Sequence, residues 1–88
     1  MILSILHTGL KNYFLNGKQL PASLMKNEEG IRYWLSILNS ATCPEDLKLS
    51  GSRLVKSSPG YRLILEGIGE FKFVFKDKGI EQLNFKQS

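Results

Sequence analysis

With 88 residues the chain has room for one domain, near the lower end of what a single hydrophobic core can stabilise. Apolar residues at 42% and charged residues at 23% exclude a disordered tail, and no apolar run approaches the roughly 20 residues of a membrane-spanning helix. The net charge of +4 is lopsided: residues 1–47 hold four basic and four acidic groups, residues 48–88 eight and four.

Met1 to Leu6 is apolar, with no basic region before it and no clear small-residue cleavage site after it, so a first strand over residues 2–6 is expected rather than a signal peptide. Thr8 is placed to cap a helix carrying Leu10, Tyr13 and Phe14 at i, i+3 and i+4, and Asn16-Gly17 is a helix stop. Lys18-Gln19-Leu20 connects to a second helix with Pro21 in its first turn. Leu24, Ile31, Trp34, Leu35 and Leu38 form its apolar stripe, with Lys26, Asn27, Glu29 and Arg32 outward. Gly30 costs that helix about 1 kcal/mol relative to alanine and marks a candidate break. Pro44 ends any helix, because the residue before a proline is pushed out of the helical region.

Strands are expected over residues 53–57, 61–66, 70–76 and 80–86. The first closes at Ser58-Pro59-Gly60, the second at Gly67-Ile68-Gly69. In the third, Phe71, Phe73 and Phe75 share one face and Lys72, Val74 and Lys76 the other. Asp77-Lys78-Gly79 reads as a hairpin turn whose glycine tolerates positive φ, and Leu83 and Phe85 of the last strand point inward. The order β-α-α-β-β-β puts two helices on one face of an antiparallel sheet and leaves the other face partly open, a single α+β domain over residues 1–88.

If the phenylalanines bury against the helices, Lys72 and Lys76 must face the opposite side, where Arg62 can join them. Cations about 7 Å apart along strands roughly match successive phosphates of single-stranded RNA. The plainer reading is that these lysines keep an exposed sheet soluble and discourage edge pairing. His7, the single histidine, sits at the end of the first expected strand, away from the basic face, so a structural or surface role is expected. Cys43 stands alone, which excludes an internal disulfide, fits a reducing cytoplasm and predicts an inert thiol at a helix end. Glu45-Asp46 caps or solvates its connector. Trp34 and Tyr33 lie in or beside the core, and Tyr61 is expected to be buried with Leu63 and Leu65. No glycine-rich phosphate loop, Ser-His-Asp set, zinc ligand set or paired catalytic carboxylates can be assembled, so no metal and no small-molecule cofactor are expected.

Several segments together resemble the HigB group of the RelE superfamily, also called the plasmid maintenance system killer family. They are Met1-Ile2-Leu3-Ser4, Thr8-Gly9-Leu10-Lys11 and Phe14-Leu15-Asn16-Gly17, then Leu38-Asn39-Ser40-Ala41-Thr42 with Pro44-Glu45-Asp46-Leu47 and Gly51-Ser52-Arg53-Leu54. The strand pair from Gly60-Tyr61 to Phe73-Val74-Phe75 and Leu83-Asn84-Phe85 continue the likeness in order. The resemblance implies a RelE-like fold: an N-terminal strand and two helices packed on a curved, mostly antiparallel sheet of four to five strands. It implies a cytoplasmic toxin that enters the ribosome and cleaves mRNA without a metal, turning the ribose 2′-hydroxyl onto its own 3′-phosphate. It also implies a helix-turn-helix antitoxin as partner.

Carried onto this sequence, the resemblance makes Lys72, Lys86 and Lys56 the catalytic candidates, and Arg53, Lys56, Arg62, Lys72, Lys76 and Lys86 the RNA-binding set. Lys72 stands where the family has an arginine, keeping the charge but losing the bidentate fork for phosphate. Phe85-Lys86-Gln87-Ser88 stands where the family has a tyrosine or histidine ending, and Gln87 and Ser88 are poor acids and bases. An alternative is therefore a catalytically impaired relative that keeps antitoxin binding as a regulatory module, and a third is a general single-strand RNA binder.

Overall fold

A computed structural model describes residues 1–48, 52–57, 60–77 and 79–87 of the protein. Helix α1 (Thr8–Asn16) starts one residue earlier than its threonine suggested. His7 has the extended backbone of a cap residue, and its Nδ1 accepts the Leu10 N–H at 3.1 Å. The imidazole therefore satisfies an orphan donor that Thr8, already helical, cannot reach. The helix stops at Gly17, whose φ of 67° is left-handed and returns its N–H to the Asn12 carbonyl.

The second helix is two pieces, α2 (Ala22–Met25) and α3 (Glu28–Ser40). The break falls at Lys26-Asn27, not at Gly30. Asn27 leaves helical geometry at φ −112°, ψ 20°, and its carbonyl accepts the Ile31 N–H that opens α3. Gly30 serves packing instead: a Cβ there would lie 2.7 Å from Ile68 Cδ1, so the missing side chain lets the strand turn approach the helix. Ile31, Trp34, Leu35 and Leu38 are buried along α3, while Tyr33 is 59% exposed and meets Trp34 edge to face.

Helix α3 ends at Ser40, ahead of the proline, and Pro44–Leu47 forms a 3-10 turn with Pro44 in its first position. Cys43 precedes that turn, partly buried and unpaired. Asp46 ties the connector together by accepting the Thr42 N–H at 2.9 Å and its hydroxyl at 3.3 Å. The backbone N–H of Thr42 holds this carboxyl below its ordinary range.

Strands β1 (Ser52–Ser57), β2 (Gly60–Leu65), β3 (Gly69–Lys76) and β4 (Gly79–Gln87) form an antiparallel meander in that order. Residues Gly51, Ser58, Pro59, Lys78 and Ser88, on which parts of the expected connector, turns and ending fall, lie outside the described residues. In the last hairpin the positive φ belongs to Asp77, at 53°, rather than to Gly79.

The expected strand over residues 2–6 is only a pair of isolated parallel bridges, Ile2 to Ile80 and Ile5 to Leu83, on the outer edge of β4. The cause is a bulge. The β3–β4 register slips by one residue between Lys72 and Val74, and Gln82 takes a φ of 56°. Its N–H turns away from the ladder to the Ser4 hydroxyl at 2.8 Å. Leu3 and Leu6 still donate to the Ile80 and Leu83 carbonyls, each at 2.7 Å.

One row of side chains, Leu54, Leu63, Phe71 and Phe85, crosses all four strands on the helix side. Phe71 and Phe85 rings lie 4.9 Å apart, and Leu10, Leu24, Ile31, Trp34, Leu35 and Leu38 complete the same core from the helices. No helix among the described residues is long and apolar enough to cross a membrane.

Gln82→Gly should relieve the left-handed backbone and raise stability by up to about 1 kcal/mol. Leu83→Ala, at the buried neighbour, should lower it by about 2–5 kcal/mol. Urea unfolding of both variants checks the bulge.

Candidate nucleic-acid interface

Strand register sorts the basic side chains. Residues directly opposite in an antiparallel pair share a face, so two rows cross the side of the sheet away from the helices. One row is Arg53, Ile64, Glu70 and Lys86; the next is Val55, Arg62, Lys72 and Asn84. Four of the six expected RNA-binding residues, Arg53, Arg62, Lys72 and Lys86, thus fall in neighbouring rows on one face. Lys76 shares that face but sits at the far end of β3, opposite Gly79.

Lys56 does not join them. Its partners across the sheet are Tyr61 and then Phe73, which places it on the helix side at the end of β1. Arg53 and Val55 point outward, and strand alternation sends Lys56 the other way. Tyr61 also belongs to that side, its ring stacked 6.1 Å from Phe73. His7 has one ring nitrogen committed to the start of α1.

Arg62 and Lys72 are direct cross-strand partners, an arrangement of like charges that destabilises a sheet on its own. Glu70 offsets it. Arg62 Nε donates to Glu70 Oε2 at 2.6 Å, and Glu70 also stands directly opposite Lys86. The hydrogen bond from Arg62 holds the Glu70 carboxyl below its ordinary range, with Lys72 and Lys86 pulling the same way and partial burial opposing them. The same bond pushes Arg62 upward. Glu70 side chain is 15% exposed and Arg62 39% exposed, so the pair is partly screened by water.

Two shallow depressions flank Arg62. The first, of about 280 Å³, lies among Leu6, Arg62, Lys72, Val74, Gln82 and Asn84. The second, of about 290 Å³, lies among Arg62, Ile64, Gly67, Glu70 and Lys86. Both open onto the cationic face. Among the described residues no group of three or more His, Cys, Asp or Glu is placed to hold a metal ion.

Glu70, Asn84 and Leu6 belong to this surface and were not singled out from sequence. Glu70 was readable, since it lies two residues before Lys72 and so shares its face. Asn84 and Leu6 depend on the bulge and on the N-terminal segment running along β4.

Because the Glu70 carboxyl is more acidic folded than unfolded, its contribution is present above the unfolded pKa and lost as pH falls through the folded one. Glu70→Gln should therefore destabilise the protein at pH 7 by up to about 1 kcal/mol, and the difference should fade below about pH 4. Thermal unfolding of both proteins across that range checks it.

Compared with models of known protein families and with curated proteins, the chain matches none.

Proposed function

We propose that this protein is a toxin of the HigB type within the RelE superfamily, acting on mRNA at the cytoplasmic ribosome and restrained by a helix-turn-helix antitoxin. The observation that carries the reading is the open sheet face that holds Arg53, Arg62, Lys72 and Lys86, the last three of them gathered around the Glu70 carboxylate. A sheet covered by helices on one side, with most of its cations on the other, also agrees with a RelE-like fold.

In this reading Lys72 and Arg62 hold adjacent non-bridging oxygens of one phosphate, while Lys86 and Arg53, at opposite ends of the neighbouring row, meet different phosphates. Attack of the ribose 2′-hydroxyl on its own 3′-phosphate forms a 2′,3′-cyclic phosphate as the P–O5′ bond breaks. The hydroxyl proton passes to water, and the departing 5′-oxygen takes one from water. Negative charge concentrates on the non-bridging oxygens meanwhile, and fixed cations stabilise it more than the ground state. Positioning and charge stabilisation supply the catalysis, since ammonium and guanidinium groups transfer protons poorly at neutral pH.

One observation favours a second reading, a non-catalytic relative that binds its antitoxin and RNA without cleavage. Among the described residues the cationic face carries no imidazole and no phenol; of its carboxylates Glu81 stands opposite Val74, away from Lys86, and Glu70 is made a weak base by its ion pair.

Primer extension on a ribosome-bound message after induction separates the two. The toxin predicts new cleavage ends and growth arrest, both abolished by Lys72→Ala. Normal growth with an intact message, alongside tight binding of a neighbouring helix-turn-helix protein, would leave only the second reading. In filter binding, Lys72→Ala should also reduce the salt dependence of RNA affinity by about one charge.

A further inference from the structure

We infer that the depression beside Arg62 and Lys72 is a subsite for one unstacked base of single-stranded RNA, selecting a base that presents carbonyl oxygens. This rests on the RNA-binding reading above and adds what part of the strand, other than phosphate, the face recognises.

The depression combines two surfaces of different chemistry. Leu6 and Val74 give it apolar lining, and Gln82 and Asn84, on the strand between them, bring amide groups, with Arg62 and Lys72 also lining it. Leu6 is 59% exposed, yet its N–H is bonded to the Leu83 carbonyl at 2.7 Å, so an apolar side chain is held in water beside two cations. An exposed leucine alone is ordinary. An exposed leucine anchored along the outer edge of β4, in one depression with Val74 and phosphate-binding charges, gives a base a face to lie against. The volume of about 280 Å³ sits near the lower bound of small-molecule sites, which suits one base rather than a stack.

The amide lining has a polarity. Asn84 Oδ1 accepts the Phe85 N–H at 2.9 Å, which fixes the side chain and leaves Nδ2 to donate. Arg62 and Lys72 are donors only, and with five and three N–H groups respectively they keep donors for a base beside the phosphate they hold. A site edged mainly by donors favours acceptor edges: uracil through O2 and O4, or guanine through O6 and N7. Adenine brings an amino group that such a rim satisfies poorly. The bulge builds this rim, because it turns Gln82 out of the ladder and keeps Asn84 on the cationic face.

The test compares binding of oligouridylate, oligoadenylate and inorganic polyphosphate of matched charge by wild type, Leu6→Ala, Leu6→Met and Asn84→Ala. Far-ultraviolet circular dichroism reports that each variant is folded. The subsite predicts that oligouridylate binds wild type about fivefold more tightly than oligoadenylate. Leu6→Ala should weaken both oligonucleotides about fivefold, leave polyphosphate unchanged and leave the salt dependence unchanged, with Leu6→Met restoring affinity. Asn84→Ala should compress the preference for uridylate. Equal binding of oligonucleotides and polyphosphate, insensitive to Leu6, would remove the subsite while leaving the phosphate-binding face intact. Failure of every polyanion to bind would overturn both readings.

Discussion

A single extra residue in the last strand governs how this sheet is assembled. Ile80, Leu83 and Phe85 are all buried, yet a regular strand cannot point residues 80 and 83 to the same side. Gln82 absorbs the mismatch by taking a left-handed backbone and leaving the ladder. The same three-residue interval separates Ile2 from Ile5 at the N-terminus, and those residues bridge Ile80 and Leu83 respectively. Two phase breaks that would each be a defect alone are matched side by side. Ser4 then supplies the acceptor that the displaced Gln82 N–H requires.

The bulge also has an electrostatic consequence. Beyond it the parity of β4 places Asn84 and Lys86 on the side away from the helices, in the rows of Arg62, Lys72 and Glu70. A face with four cations in two adjacent rows is under repulsive load before any ligand arrives. Glu70 relieves part of that load, being bonded to Arg62 and opposite Lys86. It also competes for the guanidinium that a phosphate would use. Folding and binding therefore draw on one side chain in opposite senses. This tension is typical of charged binding surfaces, where residues that compromise the isolated fold are kept for the complex.

Much of the helical layer was legible locally. Gly17 and the stripe Ile31, Trp34, Leu35 and Leu38 follow from helix-stop chemistry and a 3.6-residue period, and the structure places them as expected. Two details went otherwise because short-range competitors won. His7 caps α1 because its own extended backbone lets Nδ1 reach the Leu10 N–H. The long helix breaks at Asn27, whose side chain makes no cap bond but whose carbonyl accepts the Ile31 N–H, whereas Gly30 stays helical and is needed small against Ile68.

Alternation along 61–65 and 70–76 was enough to separate Leu63, Phe71 and Phe73 from Arg62 and Lys72, because a strand's two-residue period is a local property. It was not enough to group the cations. Lys56 falls on the helix side, Arg62 is engaged by Glu70, and Asn84 and Leu6 arrive beside Lys72 only through cross-strand register and the β4 bulge. Register depends on which residues of different strands come opposite one another. That is settled by burying one common face across the whole sheet, which no single segment encodes.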